Sequence, residues 1–393
     1  MIYSDFILND QIWSRITQTI SKGLLPHSLL FHGPKGSGKE AHAIELAGLL
    51  NCEYPKTNRA CGSCISCKKI ISFQHGNVKL ITPLPRGGIT SSDDSTIKSF
   101  KGEKALTEHI ERLKKKGREP YYSIDNPSAN TILINSIREI KHDIFLSKAN
   151  KGWTIILIFQ SEYLCIPNPT SANALLKILE EPPSKTLFIL CTSNNTKLLD
   201  TIKSRCQQIY FPPINKDQIL NFLTSSNINN EEAQLIAHIS NGDIALANQM
   251  SKETINYFDE IGILINACFS NQPAKHQELI NLCTSLKRKD KQKLMRLFQF
   301  GILFFRDLIF YKNETLNKNL IFNNKKDKIK LLNSKYQDAN WAQCITHLEN
   351  AQNYILKNGN LNLIILTLII DMQNSFTGKI YDEFNLNDWI STS

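Results

Sequence analysis

Three short stretches of this chain are apolar without interruption: Leu29–Phe31, TIILIF at 154–159 and TLFILCT at 186–192. They lack the alternation of a half-exposed strand, so they read as strands buried on both faces of a parallel sheet. Val78 to Thr82 and Gln207 to Phe211 read as two further strands. Between the strands the apolar spacing turns helical. Residues 5–23 read as an amphipathic helix ending at Gly23, and Glu40 to Leu50 as a second, with Ala43, Ile44, Ala47 and Leu50 on one side. Residues 103–117 and 131–149 follow, the latter through Ile134, Ile137, Ile140 and Ile144. In PTSANALLKILEEPP (169–183), Thr170 or Ser171 can cap a helix that Pro182-Pro183 ends. Strands alternating with helices predict an α/β fold with a parallel sheet. From residue 254 the pattern is helical only. MRLFQFGILFFRDLIF (295–310) and LNLIILTLIIDMQNSF (361–376) are apolar nearly all round, which predicts burial on several sides.

Composition adds bounds. A chain of 393 residues holds two or three domains, each able to bury a core. No stretch reaches the ~18–20 apolar residues of a membrane span. The start, MIYSDFILNDQ, lacks the basic-then-apolar layout of a signal peptide, which points to the cytoplasm. The net charge of +10 suits a polyanionic partner, but the chain is rich in Lys, Asn and Ile throughout, so charge alone does not decide for DNA.

The strand at 29–31 runs into GPKGSGKE, residues 33–40, at the start of a helix. Strand, glycine-rich turn and helix are the setting of a phosphate-binding P-loop: Gly33, Gly36 and Gly38 let amides turn inward, and Lys39 reaches the outer phosphates. The motif calls for Ser or Thr next, to hold Mg²⁺, and this chain has Glu40. A carboxylate there repels phosphate unless it turns away. In a P-loop ATPase the strand at 154–159 ends in an acidic pair; here Phe159 and Gln160 stand there. Glu162, two positions on, reads as a poor substitute.

Cys52, Cys61, Cys64 and Cys67 contain two overlapping C-x₂-C steps. Four thiolates so close suit tetrahedral Zn²⁺, and a full protein ligand set makes the metal structural. The alternative is a chance group of buried cysteines. The other six read as small core residues. Residues 84–126 open with the loop-like PRGGITSSDDST and read as a partly mobile insertion. Lys114-Lys115-Lys116 within it read as a solvated face, and Lys287-Arg288-Lys289 and Lys325-Lys326 as surface.

The order LPHSLLFHGPKGSGKE, four cysteines, NALLKILEEPP and SRCQQIYFPP resembles the bacterial clamp-loader branch of the AAA+ proteins, the gamma/tau and delta-prime subunits of the DNA polymerase III holoenzyme. The resemblance is dense over residues 1–210 and thins beyond about 253. It implies a P-loop core at 1–210, a helical lid at 211–253 and an all-α C-terminal collar at 254–393. It implies gamma/tau and delta partners in a hetero-pentameric ring, a sliding clamp and primer-template DNA. It also implies that Arg205 of Ser204-Arg205-Cys206 reaches a neighbour's nucleotide in trans.

The motor subunits of that branch need a hydroxyl after the P-loop lysine, an acidic pair and a Gly-x-x-Arg lid. This chain has Glu40, Phe159-Gln160 and Gly242-Asp243-Ile244-Ala245. The three departures resemble the delta-prime pattern: fold and finger kept, hydrolysis lost, ATP or ADP binding weak or absent. The competing readings are a gamma/tau-like ATPase, and a zinc-dependent nucleic-acid-binding protein, for which no base-reading module is evident.

Overall fold

The computed structural model describes residues 1–3, 6–91, 94–146, 152–253, 257–312 and 320–376. The predicted helical stretch at 147–149 and the end of the predicted collar, 377–393, lie outside the described residues. By compactness the chain divides into two units, Met1–Ser225 with Ser240–Gln249, and Ser226–Ile239 with Met250–Ser393.

The first unit is built on α1 (Asp10–Ser21), β1 (Ser28–His32), α2 (Lys39–Asn51), α3 (Ile65–Ile71), β2 (Val78–Ile81), α4 (Glu103–Arg118), α5 (Ile134–Leu146), β3 (Thr154–Ile158), α6 (Thr170–Glu180), β4 (Thr186–Thr192), α7 (Asp200–Lys203), β5 (Gln207–Tyr210) and α8 (Lys216–Ser225). The five strands form one parallel sheet in the order β2-β3-β4-β1-β5. Every residue of β4 is buried, as its unbroken apolar run requires. One side of the sheet packs Ile156, Ile158, Phe188 and Leu190 against Ile137, Leu175, Ile178 and Ile202.

Two expected helix starts are corrected. The first helix begins at Asp10, not residue 5, because the Asn9 side chain accepts the Ile12 amide and caps it. Residues 6–9 lie outside the helix, and Ile2, Tyr3 and Phe6 are buried. Neither Thr170 nor Ser171 caps α6. The Thr170 hydroxyl donates to Asn168 Oδ1 (2.6 Å) and the Ser171 hydroxyl to the Ile132 carbonyl (2.7 Å), so both are engaged elsewhere.

Helices α9 (Asn230–Ser240) and α10 (Ile244–Ser251) follow, then α11 (Tyr257–Phe269), α12 (Pro273–Lys289), α13 (Lys291–Lys312), α14 (Lys326–Lys335), α15 (Trp341–Leu356) and α16 (Leu361–Ser375). Phe298, Phe304, Phe305 and Leu308 of α13 are buried, as its all-round apolar pattern predicts. Helix α16 departs from the expectation of burial on several sides. Ile365, Leu368 and Met372 are inside, but Leu363, Leu366 and Ile370 are exposed, a stripe on the opposite side. The run is apolar on both faces, and among the described residues only one face is covered. Lys325, read as surface, is buried where the turn Asn323–Lys325 enters α14. Among the described residues, no helix is long and apolar enough to cross a membrane.

Candidate functional site

Strand β1 delivers the glycine-rich loop to the C-terminal edge of the sheet, the edge where open α/β folds hold their ligands. Gly36 has φ +69°, and a Cβ there would strike the Asp243 carboxylate, so the loop approaches the start of α10 as only glycine permits. The Ile244 amide donates to the Gly36 carbonyl (3.3 Å), and Asp243 Oδ1 accepts the Leu246 amide (3.0 Å), capping α10.

Lys39 opens α2 and is buried. Its ammonium donates to the Gly33 carbonyl (2.9 Å), the Pro34 carbonyl (2.7 Å) and Ser37 Oγ (3.2 Å). An ammonium has three donors, and the loop itself takes all three. Burial lowers the Lys39 pKa, opposed by nearby acidic groups including Glu40, Glu162 and Asp243.

Glu40 has turned to a partner that the sequence reading assigned to solvent. Lys116 is 1% exposed, and its Nζ lies 2.5 Å from Glu40 Oε2. The same ammonium donates to the carbonyls of Tyr122 (2.7 Å) and Pro120 (3.1 Å) and stands 5.5 Å from the centre of the Phe159 ring. The expectation of a solvated lysine face fails at Lys116 because α4 folds back on the core. The Tyr3 hydroxyl donates to the Lys116 carbonyl (3.0 Å), and a Cβ at Gly117 would strike the Ile71 carbonyl.

A cavity of about 250 Å³ opens beside these groups, lined among others by Lys39, Glu40, Lys116, Gln160, Glu162 and Ala245. Gln160 is tied to the inserted segment, donating to Ser123 Oγ (3.3 Å) and Asp125 Oδ1 (3.2 Å). Glu162 reaches the cavity because the chain after β3 curls into a 3₁₀ turn, Ser161–Cys165, and it accepts the Thr192 hydroxyl (2.8 Å). These residues do not match the Mg²⁺ shell of a P-loop NTPase. The hydroxyl at 40 and the carboxylate after β3 are replaced by an ion pair and an aromatic ring.

Helix α2 also ties in the rest of the unit. His42 Nε2 accepts the Asn9 amide (3.0 Å), so Nδ1 carries the proton and donates to the Gly38 carbonyl (2.8 Å). Glu45 Oε2 accepts the Ile2 amide (2.6 Å) and Oε1 the Ala60 amide (3.1 Å), linking α2 to the segment before Cys61.

The four cysteine sulfurs lie within 4.8 Å of one another. Cys61 and Cys67 Sγ are 3.9 Å apart, and Cys67 and Cys52 Sγ 3.7 Å. A tetrahedron with Zn–S bonds of ~2.3 Å has edges of about 3.8 Å, so the set fits such an ion. The amides of Cys61, Cys64 and Cys67 donate to the sulfurs of Cys52 (3.2 Å), Cys61 (3.3 Å) and Cys64 (3.4 Å), which favours thiolate charge. The amides of Ser63 and Cys64 bring the Cys61 thiol down to about 6, while burial pushes Cys67 up. Of the six other cysteines, five are buried and Cys165 is half-buried, as expected of core residues.

Arg205 follows α7 and does not line the cavity of its own chain. Its Nη2 donates to Glu180 Oε1 (2.6 Å) and its Nη1 to the Thr201 carbonyl (3.0 Å), and the side chain is about one-third exposed.

A glycine-rich loop joining a helix to β1, which lies between β4 and β5 in this strand order, defines a P-loop protein of the AAA+ type. The family model described as "DNA polymerase III, delta subunit" matches residues 8–215, and the chain belongs to that family. It is 26% identical over 321 residues to DNA polymerase III subunit tau of Bacillus subtilis, covering 76% of this chain and 48% of that protein. It is 28% identical over 245 residues to subunit delta′ of the same organism, covering 62% of this chain and 60% of the relative. This chain thus spans about half the length of the tau subunit it matches. A gamma subunit-related protein of Thermotoga maritima aligns over 93% of this chain and 99% of its own, at 15% identity and a TM-score of 0.37.

Proposed function

We propose that this chain is a non-hydrolysing, delta-prime-type subunit of a bacterial DNA polymerase III clamp loader. The carrying observation is the Glu40–Lys116 pair, set against Phe159. Phosphoryl transfer is almost entirely positioning and charge stabilisation, with Mg²⁺ bridging the outer phosphates. At the two positions where a P-loop ATPase holds its metal, this chain has a carboxylate neutralised by Lys116 and a phenyl ring, which supply neither. The fold then serves as a scaffold that presents Arg205 to a neighbouring ATPase subunit. Residues 1–210 act as the core, 211–253 as the lid and 254–393 as the collar of a hetero-pentameric ring with gamma/tau and delta subunits. That ring acts in the cytoplasm on the sliding clamp and primer-template DNA. The cysteine cluster holds one structural Zn²⁺, a reading supported by the sulfur spacing.

The test is Mg²⁺-dependent ATP turnover by the purified chain, followed by mixing with the other loader subunits. Background turnover and a stable pentamer are expected. Turnover that disappears in Lys39→Ala would favour the second reading, a gamma/tau-like ATPase. That reading draws on the match to the tau subunit and on Glu162 lying at the cavity.

A further inference from the structure

We propose that Lys116 is a built-in counter-cation that replaces the divalent metal of the P-loop cleft, so that this cleft excludes Mg²⁺-bound nucleoside phosphates. The inference rests on the non-hydrolysing reading above and names what enforces it. Loss of a hydroxyl or an acid would leave a cleft merely poor at holding metal. This cleft has gone further and filled the cation position from another part of the chain, 76 residues away in sequence.

The case is one of charge and valence. Lys116 has three ammonium protons and three acceptors: Glu40 Oε2, the Tyr122 carbonyl and the Pro120 carbonyl. Its coordination is complete without water or ligand. The Phe159 ring adds an attractive face. Lys39 is equally complete, held by Gly33, Pro34 and Ser37. Of the three lysines that line the cavity, the two buried ones are therefore both satisfied from within, and only the exposed Lys35 is left to meet an anion. A divalent ion brought beside Glu40 would meet an ammonium 2.5 Å from the carboxylate it needs, on a lysine side chain that is only 2% exposed. The end of α4 is fixed by Tyr3 and by the close approach of Gly117 to Ile71, so Lys116 cannot leave by a small shift.

This arrangement distinguishes two routes back to metal binding. If Glu40 alone were the obstacle, Glu40→Thr would restore the hydroxyl and the site. If Lys116 is the resident cation, Glu40→Thr leaves a buried ammonium facing the incoming metal, and restoration also needs Lys116→Met.

The experiment titrates a fluorescent ATP analogue into the full chain with Mg²⁺ in excess over nucleotide, and again with Mg²⁺ omitted. Omission rather than chelation leaves any metal at the cysteine cluster in place. Wild type and Glu40→Thr are expected to show affinities that Mg²⁺ changes by less than twofold. The double variant Glu40→Thr/Lys116→Met is expected to gain at least tenfold in affinity when Mg²⁺ is present. Circular dichroism and metal content check that each variant is folded. Mg²⁺-dependent binding by wild type overturns the proposal without any variant. So does a Glu40→Thr chain that gains as much as the double variant, or a folded double variant that gains nothing. These readouts are of binding, so they stay separate from turnover, which tests the non-hydrolysing reading.

Discussion

The Nδ1–H of His42 donates to the Gly38 carbonyl across 2.8 Å, one helical turn back at the mouth of the glycine-rich loop. Burial lowers the His42 pKa to about 4, and the Gly38 bond opposes that only in part. The folded state therefore keeps this imidazole neutral where the unfolded chain, with an ordinary value near 6.5, takes up a proton. Stability is complete above that ordinary value and is lost as pH falls from about 6.5 toward 4. At pH 5 the loss from this group amounts to about 2 kcal/mol. Urea unfolding at pH 7 and pH 5 should show that drop in wild type and a shallower one in His42→Gln. Equal drops in both chains would assign the acid sensitivity elsewhere.

Glu40 and Lys116 form the second test. Removing one partner leaves a buried charge uncompensated, which costs about 3–5 kcal/mol, whereas replacing both with neutral groups of similar size is often close to neutral. Lys116→Met alone should destabilise strongly, and Glu40→Gln/Lys116→Met should recover most of the loss. A double-mutant cycle read by chemical denaturation gives the coupling. An additive result, with no recovery, would mean that the pair is not coupled in solution.

How far the sequence anticipates this molecule depends on the range of the interaction. The buried strands were legible because double-sided burial writes itself as an unbroken apolar run, as in residues 186–192. The glycine-rich loop and the cysteines were legible because their chemistry sits in local spacing. Lys116 was not: a lysine in Lys114-Lys115-Lys116 looks like solvated charge, and its partner is 76 residues away. Asn9 could have been found, since an Asx residue followed by Asp10 is a helix-cap signal. The exposed stripe on α16 was hidden for the opposite reason. An all-round apolar helix shows how much surface wants covering, but not which face the chain itself can cover.

That stripe gives the third prediction. Leu363 is 65% and Ile370 56% exposed, so Leu363→Asp/Ile370→Asp should change the chain's own stability little. In the proposed collar the same change should prevent assembly with the other loader subunits, by size-exclusion chromatography of the mixture. A double variant that still enters the ring would put the interface on another face.

The cysteine cluster gives the fourth. Protein purified without chelator should carry about one metal ion per chain, and Cys64→Ala should lose it together with stability and solubility. Elemental analysis of both chains decides this. Metal near zero in the wild type would make the four sulfurs a chance cluster.

The last prediction concerns Arg205 and its restraint. Its salt bridge to Glu180 joins two partly exposed groups, and bridges of this kind are worth only about 0.2–1 kcal/mol. A γ-phosphate offered by a neighbouring subunit, with its higher charge and drier setting, is a stronger partner for a planar guanidinium. Glu180 thus holds Arg205 near the surface at little cost to its release. Placed on the transferring phosphoryl group, such an arginine can be worth ~10³–10⁵ in rate. Arg205→Ala should leave folding, metal content and ring assembly intact while lowering ATP turnover by the adjacent subunit and slowing clamp loading on primed DNA. Arg205→Lys should rescue little, because the two-pronged geometry is lost. Glu180→Gln, which frees Arg205 without removing it, should keep most of the activity. An alanine variant that assembles and retains full DNA-stimulated turnover would rule out a trans-acting role, leaving Arg205 as a surface residue paired with Glu180.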